Sequence, residues 1–375
     1  MNALLVGYYG LQNLGDEMML FCLRRQLEER GFRLTVLSEQ PQEVEKLHHL
    51  PAVQNCPLLG QWAWRFAWFK GGAARVIRAL AQNDALVLGG GDLIRDDLGW
   101  RTFSFTMEKV VLALLLGKKV YLLNVGLGVP RTWYGRLLLG WALPRCEEIV
   151  VRDPRSLAIC REMSATKARF APDIVLSLPE LIDEKPTPSP ANIGRPYVLV
   201  CLRADPNAFH FYDFNPDRVK KFAFILDALI EQYGVDVVFL PFQQLSGTGF
   251  DDNSMHRQVG EVMKNQARIE ILPWTDDFRQ ICNRFRNARG VICMRLHAAV
   301  LAVAYGRPCI LMPLDHKLQQ FAAVMNLPYL IEVTTLDQSA SVYALIENAL
   351  GKSTLTSLDP HPAMRSSKMH REEIS

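Results

Sequence analysis

Short apolar runs of strand length alternate along the chain with longer stretches whose apolar residues recur every three to four positions. The first run, Ala3–Val6, leads into a helical spacing over Asp16–Arg30 and then a second run at Leu34–Leu37. Strand patterns follow at Ala85–Leu88, Val120–Asn124 and Glu148–Val151, with helical patterns around Phe105–Leu116 and Arg136–Leu143 between them. This order predicts a parallel sheet covered by helices on both faces. The polar, proline-rich stretch from Pro179 to Pro196 breaks the alternation and reads as a linker. Beyond it the grammar restarts, with strands at Tyr197–Leu202, Val235–Leu240, Ile269–Leu272, Gly290–Cys293 and Cys309–Met312. The intervening helices are expected at Arg218–Tyr233, Met255–Lys264, Asp277–Asn287 and His297–Tyr305. The expected organisation is therefore an α/β domain over 1–180, a linker over 181–196, a second α/β domain over 197–357 and a polar tail over 358–375. In open sheets ligands gather at the carboxyl ends of strands, which makes a cleft between the two domains the expected site.

A hydrophobic share of 49% over 375 residues fits two ordinary globular cores. The formal charge of +3 gives no global footprint for nucleic acid, so an anion site has to be built locally. Eight scattered cysteines form no C-x-x-C pair and no zinc-knuckle spacing and read as reduced core residues. The chain opens on a strand pattern without a basic leader, and its longest apolar stretch, Val110 to Leu116, is far shorter than the ~20 residues of a spanning helix. A cytoplasmic location is the expectation.

Candidate chemistry lies where strands end. The first strand runs into Gly7-Tyr8-Tyr9-Gly10-Leu11-Gln12-Asn13-Leu14-Gly15-Asp16-Glu17, whose glycines are too widely spaced for a dinucleotide loop. They still allow a backbone to approach a ligand, with acidic groups at a helix start; a plain turn and helix cap would look the same. Another strand ends in Gly89-Gly90-Gly91-Asp92, which clears room at the same sheet edge. In the second half, Arg203 follows one strand, Arg295-Leu296-His297 follows another just before a helix, and Lys317 follows a third. One surface arginine is usually a solvated charge, but three cations at successive strand ends suit an anion held by helix-start amides.

Taken in order, Gly10 to Glu17, Leu88 to Gly91, Val151-Arg152-Asp153, Ala171-Pro172-Asp173, Cys201-Leu202-Arg203 and Met294-Arg295-Leu296-His297 resemble the polysaccharide pyruvyl transferases. The resemblance implies two Rossmann-like domains in a GT-B-type arrangement, phosphoenolpyruvate as donor co-substrate, a saccharide acceptor that is free or polyprenyl-linked, and neither metal nor other cofactor. Carried over, Arg203, Arg295, Leu296 and His297 hold and process the donor with Lys317 as a further cation, although His316 stands where the family often has proline. Guanidinium forks match both the phosphate and the carboxylate of the donor. His297 either moves protons, with an ordinary pKa of ~6.5, or only binds phosphate. Gly15, Asp16, Gly90, Gly91 and Asp92 are the expected acceptor side. The rival is a nucleotide-sugar glycosyltransferase of the same architecture; an idle sugar-binding scaffold is a third reading.

One pattern belongs to neither site. Trp62, Trp64 and Trp68 share a ten-residue stretch, 61–70, with two phenylalanines and two cations, and Arg131 to Leu137 repeats the mixture with Trp133 and Tyr134. Both suit a segment lying on a membrane surface, and equally a core or partner contact.

Overall fold

The computed structural model of the protein describes residues 1–58, 71–96, 99–182, 195–204, 215–245, 250–332, 336, 342–344 and 346–348. The chain divides into two compact units, Met1–Ile174 and Val175–Ser375.

In the first unit the strands are β1 Asn2–Val6, β2 Arg33–Ser38, β3 Ala52–Gln54, β4 Ala85–Gly89, β5 Lys119–Val125, β6 Glu148–Val151 and β7 Ala168–Phe170. Between them lie α1 Leu14–Glu29, α2 Pro41–His48, α3 Gly72–Gln82, α4 Trp100–Leu115, α5 Trp133–Ala142 and α6 Pro154–Glu162. All seven strands join one sheet in the order β3-β2-β1-β4-β5-β6-β7, every pairing parallel. The chain winds outward from β1 to β3, then returns to pair β4 beside β1, so the order reverses between β1 and β4. Both strands are buried over nearly their whole length, as a parallel sheet covered on two faces requires. Leu4, Leu86, Leu88, Val120 and Leu122 pack there against Phe103, Met107 and Val110 of α4.

The second unit repeats the plan on a smaller sheet. It begins with α7 Leu178–Ile182 and continues through β8 Tyr197–Cys201, α8 Pro216–Tyr233, β9 Asp236–Phe239, a hairpin of β10 Gln244–Leu245 and β11 Phe250–Asp251, and α9 Asp252–Val262. It goes on through β12 Ile269–Ile271, α10 Phe278–Asn287, β13 Gly290–Cys293, α11 Leu296–Ala304, β14 Cys309–Leu311 and α12 His316–Val324. The parallel sheet runs β12-β9-β8-β13-β14, reversing between β8 and β13. Val198, Val200, Phe222, Leu226, Phe239 and Ile292 form its core.

Two local expectations change. The stretch expected to open the linker is a helical turn of the second unit, because Leu178 and Ile182, four residues apart, are both buried and draw it onto α10. Residues 183–194 and the tail 358–375 lie outside the described residues, as does the tryptophan-rich stretch 61–70. The helix expected from Met255 starts earlier, at Asp252, because Asp251 caps it by accepting from the Asn253 amide. All eight cysteines are buried thiols, four in each unit. Among the described residues no helix is long and apolar enough to cross a membrane, and no group of His, Cys, Asp and Glu is placed to hold a metal ion.

Candidate functional site

The carboxyl edge of the second sheet gathers its polar side chains around one carboxylate. The β10–β11 hairpin folds the chain back so that the Asp252 amide donates to the Gln243 carbonyl (3.1 Å), which sets the Asp252 side chain under the exits of β8, β9 and β13. Its carboxylate, fully buried, accepts from the amides of Ala204 (3.1 Å), Phe242 (3.0 Å) and Gln243 (3.0 Å). It also accepts both ends of the Arg295 fork, Nε at 3.0 Å and Nη2 on the other oxygen. A buried carboxylate with five donors is fully compensated, and the bidentate pair fixes the guanidinium plane. Arg295 Nη1 donates to Gln243 Oε1 (3.2 Å). A guanidinium carries five N–H groups, and the remaining pair on Arg295 makes no hydrogen bond among the described residues.

Beside this pair lies His256, one turn along α9 and wholly buried. Its Nε2 accepts the Leu202 amide (3.2 Å), so the proton sits on Nδ1 and is donated to Asn253 Oδ1 (2.9 Å). Burial, and next the charge of Arg295, push its pKa down to about 3, so the ring stays neutral.

Arg203, two residues beyond β8, donates through Nη1 to Asp315 Oδ2 (3.0 Å). Asp315 caps α12 and accepts the Lys317 amide (3.1 Å). Burial alone would raise the Asp315 pKa, but the charges of Lys317 and Arg203 and the bonds they donate outweigh it and hold the carboxyl below its usual range. Arg295, with no side-chain cap of its own, occupies the position before α11, whose first turn is Leu296, His297 and Ala298. Arg203, Arg295, Leu296, His297 and Lys317 thus stand at the exits of three strands adjacent in the sheet, β8, β13 and β14, two of which flank the order reversal. Alongside the three cations expected from sequence this edge holds two carboxylates, Asp252 paired with Arg295 and Asp315 with Arg203.

The first unit's carboxyl edge is also more organised than its glycines suggest. Glu17, counted with Asp16 at the helix start, is buried and accepts the Gly10 amide (2.8 Å) while meeting His48 Nε2 at 2.8 Å, so it holds the loop shut against α2. Gly15 is the second residue of α1, its amide bonded to the Asn13 cap (3.2 Å). Gly90 and Gly91 take positive φ of 68° and 77°, a backbone that side chains resist. A Cβ on Gly91 would find the Asp16 carboxylate at 3.8 Å, whereas one on Gly90 would strike Met19 Sδ at 2.9 Å. Asp92, expected to face the acceptor, binds Arg152 Nη2 at 2.6 Å. Arg152 reaches Asp173 at 3.5 Å with its other nitrogen, and these two carboxylates outweigh burial and raise its pKa. Asn124 stations that loop by accepting the Ile174 amide (3.0 Å) and donating to Pro172 O (2.9 Å).

Sequence reasoning missed Asp252, His256, Gln243 and Asp315. The available signal was Asp252 and His256 four residues apart on the face of α9 that also carries buried Met255 and Val259, an unusual place for polar side chains. Arg152 and Asp173 carried the resemblance but had no role until the ion pairs were seen.

A sequence model of one family, polysaccharide pyruvyl transferase, matches residues 13–316. The chain belongs to the polysaccharide pyruvyl transferase family. The match spans both carboxyl edges, from the Asn13 cap to His316. No curated protein sequence matches the chain. Solved structures similar to this family member include the UDP-GlcNAc 2-epimerase from Methanocaldococcus jannaschii, with 12% identity and TM-score 0.61, covering 99% of each chain. The UDP-GlcNAc 2-epimerase from Neisseria meningitidis bound to UDP-GlcNAc gives 12% and 0.61, covering 100% of this chain and 99% of that one. MurG from Acinetobacter baumannii gives 13% and 0.50, with 99% of each chain covered. At such identities the likeness shows the fold alone: two Rossmann-like α/β units of the GT-B class.

Proposed function

We propose that this pyruvyl transferase moves the pyruvyl group of phosphoenolpyruvate onto two hydroxyls of a saccharide as a ketal and releases phosphate. The observation that carries the reading is Arg295, locked in plane by Asp252 and Gln243, with a pair of N–H groups in hand beside the first turn of α11. A fixed fork next to helix-start amides is suited to a small dianion. Arg203 supplies a second fork tethered by Asp315, and Lys317 a compact charge.

In the proposed reaction the donor's methylene carbon gains a proton and becomes methyl, and the first sugar hydroxyl adds to the adjacent carbon and loses its proton. The carbon–oxygen bond to phosphate then breaks, and a second hydroxyl closes the ring with loss of its proton. His297, in the first turn of α11, is assigned the proton transfers. His256 is unsuited to them, since its ring is wholly buried, stays neutral down to about pH 3 and has both nitrogens engaged by Leu202 and Asn253. On the first unit, Gly15, Asp16 and the bare backbone of Gly90 and Gly91 are assigned to acceptor hydroxyls. Asp92, paired with Arg152, fixes that edge and is assigned to the acceptor side with it.

Saccharide-dependent release of inorganic phosphate from phosphoenolpyruvate tests the reading. Its absence with every candidate saccharide, alongside tighter binding of a UDP-sugar than of phosphoenolpyruvate, would replace it with nucleotide-sugar glycosyl transfer.

A further inference from the structure

Strands β4 and β5 keep pairing beyond their ends. The Gly126 amide donates to Gly91 O and the Gly128 amide to Ile94 O, both at 2.9 Å, and Ile94 bridges Leu127 in parallel. The paired segments run on to Asp96, a buried carboxylate that accepts the amides of Arg131 (3.0 Å) and Thr132 (2.8 Å) and the Thr132 hydroxyl (2.6 Å). The Thr132 oxygen in turn accepts the Gly135 amide (3.0 Å) and caps α5. A Cβ at Gly135 would stand 2.4 Å from Asp96 Oδ2, so this clamp is fitted to glycine.

What the clamp presents is apolar. Trp133 is 77% exposed and Leu137, one turn further, 63%; Trp100 is 46% exposed. Tyr134 joins the rings, meeting Trp100 edge-on at 4.9 Å and Trp133 at 5.9 Å. Three of the eleven large exposed hydrophobics among the described residues, Trp100, Trp133 and Leu137, therefore share one surface at the starts of α4 and α5. Single exposed apolar residues are ordinary, but a contiguous group on a pinned backbone marks a contact surface. Along α5 the surface is cationic: Arg131 and Arg136 are exposed on either side of Trp133, and no acidic residue occurs between Val129 and Cys146.

We propose that this surface docks on an anionic lipid bilayer, with Trp133 and Leu137 entering the boundary between headgroups and acyl chains and Arg131 and Arg136 meeting lipid phosphates. Aromatic and aliphatic anchors ringed by arginine are the composition that interfacial segments use. Charge selects a bilayer over a second copy, because two-fold pairing of the same surface would set the arginines of one copy against those of the other. Docking here brings the glycine edge at Gly90 and Gly91 to the lipid–water boundary, where a saccharide carried on a lipid would be reached; that purpose rests on the proposed function, the docking does not.

Flotation of the full chain with vesicles of phosphatidylglycerol and phosphatidylcholine in equal parts, and of phosphatidylcholine alone, is the test. The wild type is expected to float with the anionic vesicles, less so in high salt, and scarcely with the neutral ones. Trp133→Ser with Leu137→Ser should lower apparent vesicle affinity at least tenfold, and Arg131→Gln with Arg136→Gln should remove most of the anionic preference. Both variants should keep wild-type phosphate release with a lipid-free saccharide, since these exposed positions lie outside the donor edge. A wild type that stays with the soluble fraction, or a Trp133/Leu137 variant that floats unchanged, would overturn the proposal. So would a dimer in ultracentrifugation that the variant dissolves while flotation persists. If flotation behaves as expected but no protein releases phosphate, the reading of the reaction fails and the docking surface stands.

Discussion

Asp252 holds together more of the second unit's carboxyl edge than any other side chain described there. Asp252→Ala leaves the Arg295 guanidinium and three backbone amides without their acceptor. Removing one partner of such a buried pair typically costs about 3–5 kcal/mol; a loss of that order is expected in urea unfolding. His297→Ala should leave stability near wild type and lower maximal turnover by about 100-fold or more if the imidazole moves protons. Weaker donor binding at unchanged turnover would restrict it to holding phosphate. His256 gives a separate signature in pH. Its folded pKa of about 3 lies below the ordinary 6.5, so the unfolded chain binds the extra proton first and stability falls as pH drops from 6.5 toward 3. The loss amounts to roughly 4 kcal/mol at the acid end. Urea midpoints measured across pH 4 to 7 should slope downward toward acid in the wild type and lose about one proton's worth of that slope in His256→Gln. These residues were the least legible in the sequence, because a buried Asp or His owes its role to partners from other strands: Asp252 answers Arg295 across 43 positions and Ala204 across 48.

At the scale of elements, two glycines on one sheet edge have different reasons to be glycine. A Cβ on Gly126 would stand 1.9 Å from Asp92 Oδ1, inside the pair with Arg152. A Cβ on Gly91 would meet nothing closer than 3.7 Å, leaving only its φ of 77° as a cost. Gly91→Ala is therefore expected to cost about 1–2 kcal/mol, and Gly126→Ala more, about 3 kcal/mol, by parting the ion pair; equilibrium unfolding of the two variants compares them. Legibility was highest here. Strand runs such as Ala85–Leu88 and Gly290–Cys293 announced themselves because a two-sided parallel sheet leaves no polar alternation. The start of α9 was hidden, since the hairpin before it consists of strands of two residues each, too short to show a period.

For the whole molecule, the order of strands reverses once in each sheet, the place where open α/β sheets take ligands. Phosphoenolpyruvate at a hundred times its dissociation constant should then stabilise the folded chain by about 2.7 kcal/mol, and Arg295→Gln should abolish that protection in a thermal melt. The two-part division could be read because a proline-rich stretch interrupts a regular alternation, but the edge of the second unit could not, since α7 is drawn in by Leu178 and Ile182 from just before the prolines. The buried thiols carry one more consequence. Cys22, Cys56, Cys146 and Cys160 lie in one unit and Cys201, Cys282, Cys293 and Cys309 in the other, and burial pushes the sulfhydryls of Cys146, Cys160 and Cys309 up to about 12. Alkylating reagents attack thiolates, which the native chain thus withholds. Mass spectrometry of chains exposed briefly to iodoacetamide along a denaturant series would report, peptide by peptide, which half of the protein opens first, with no probe introduced.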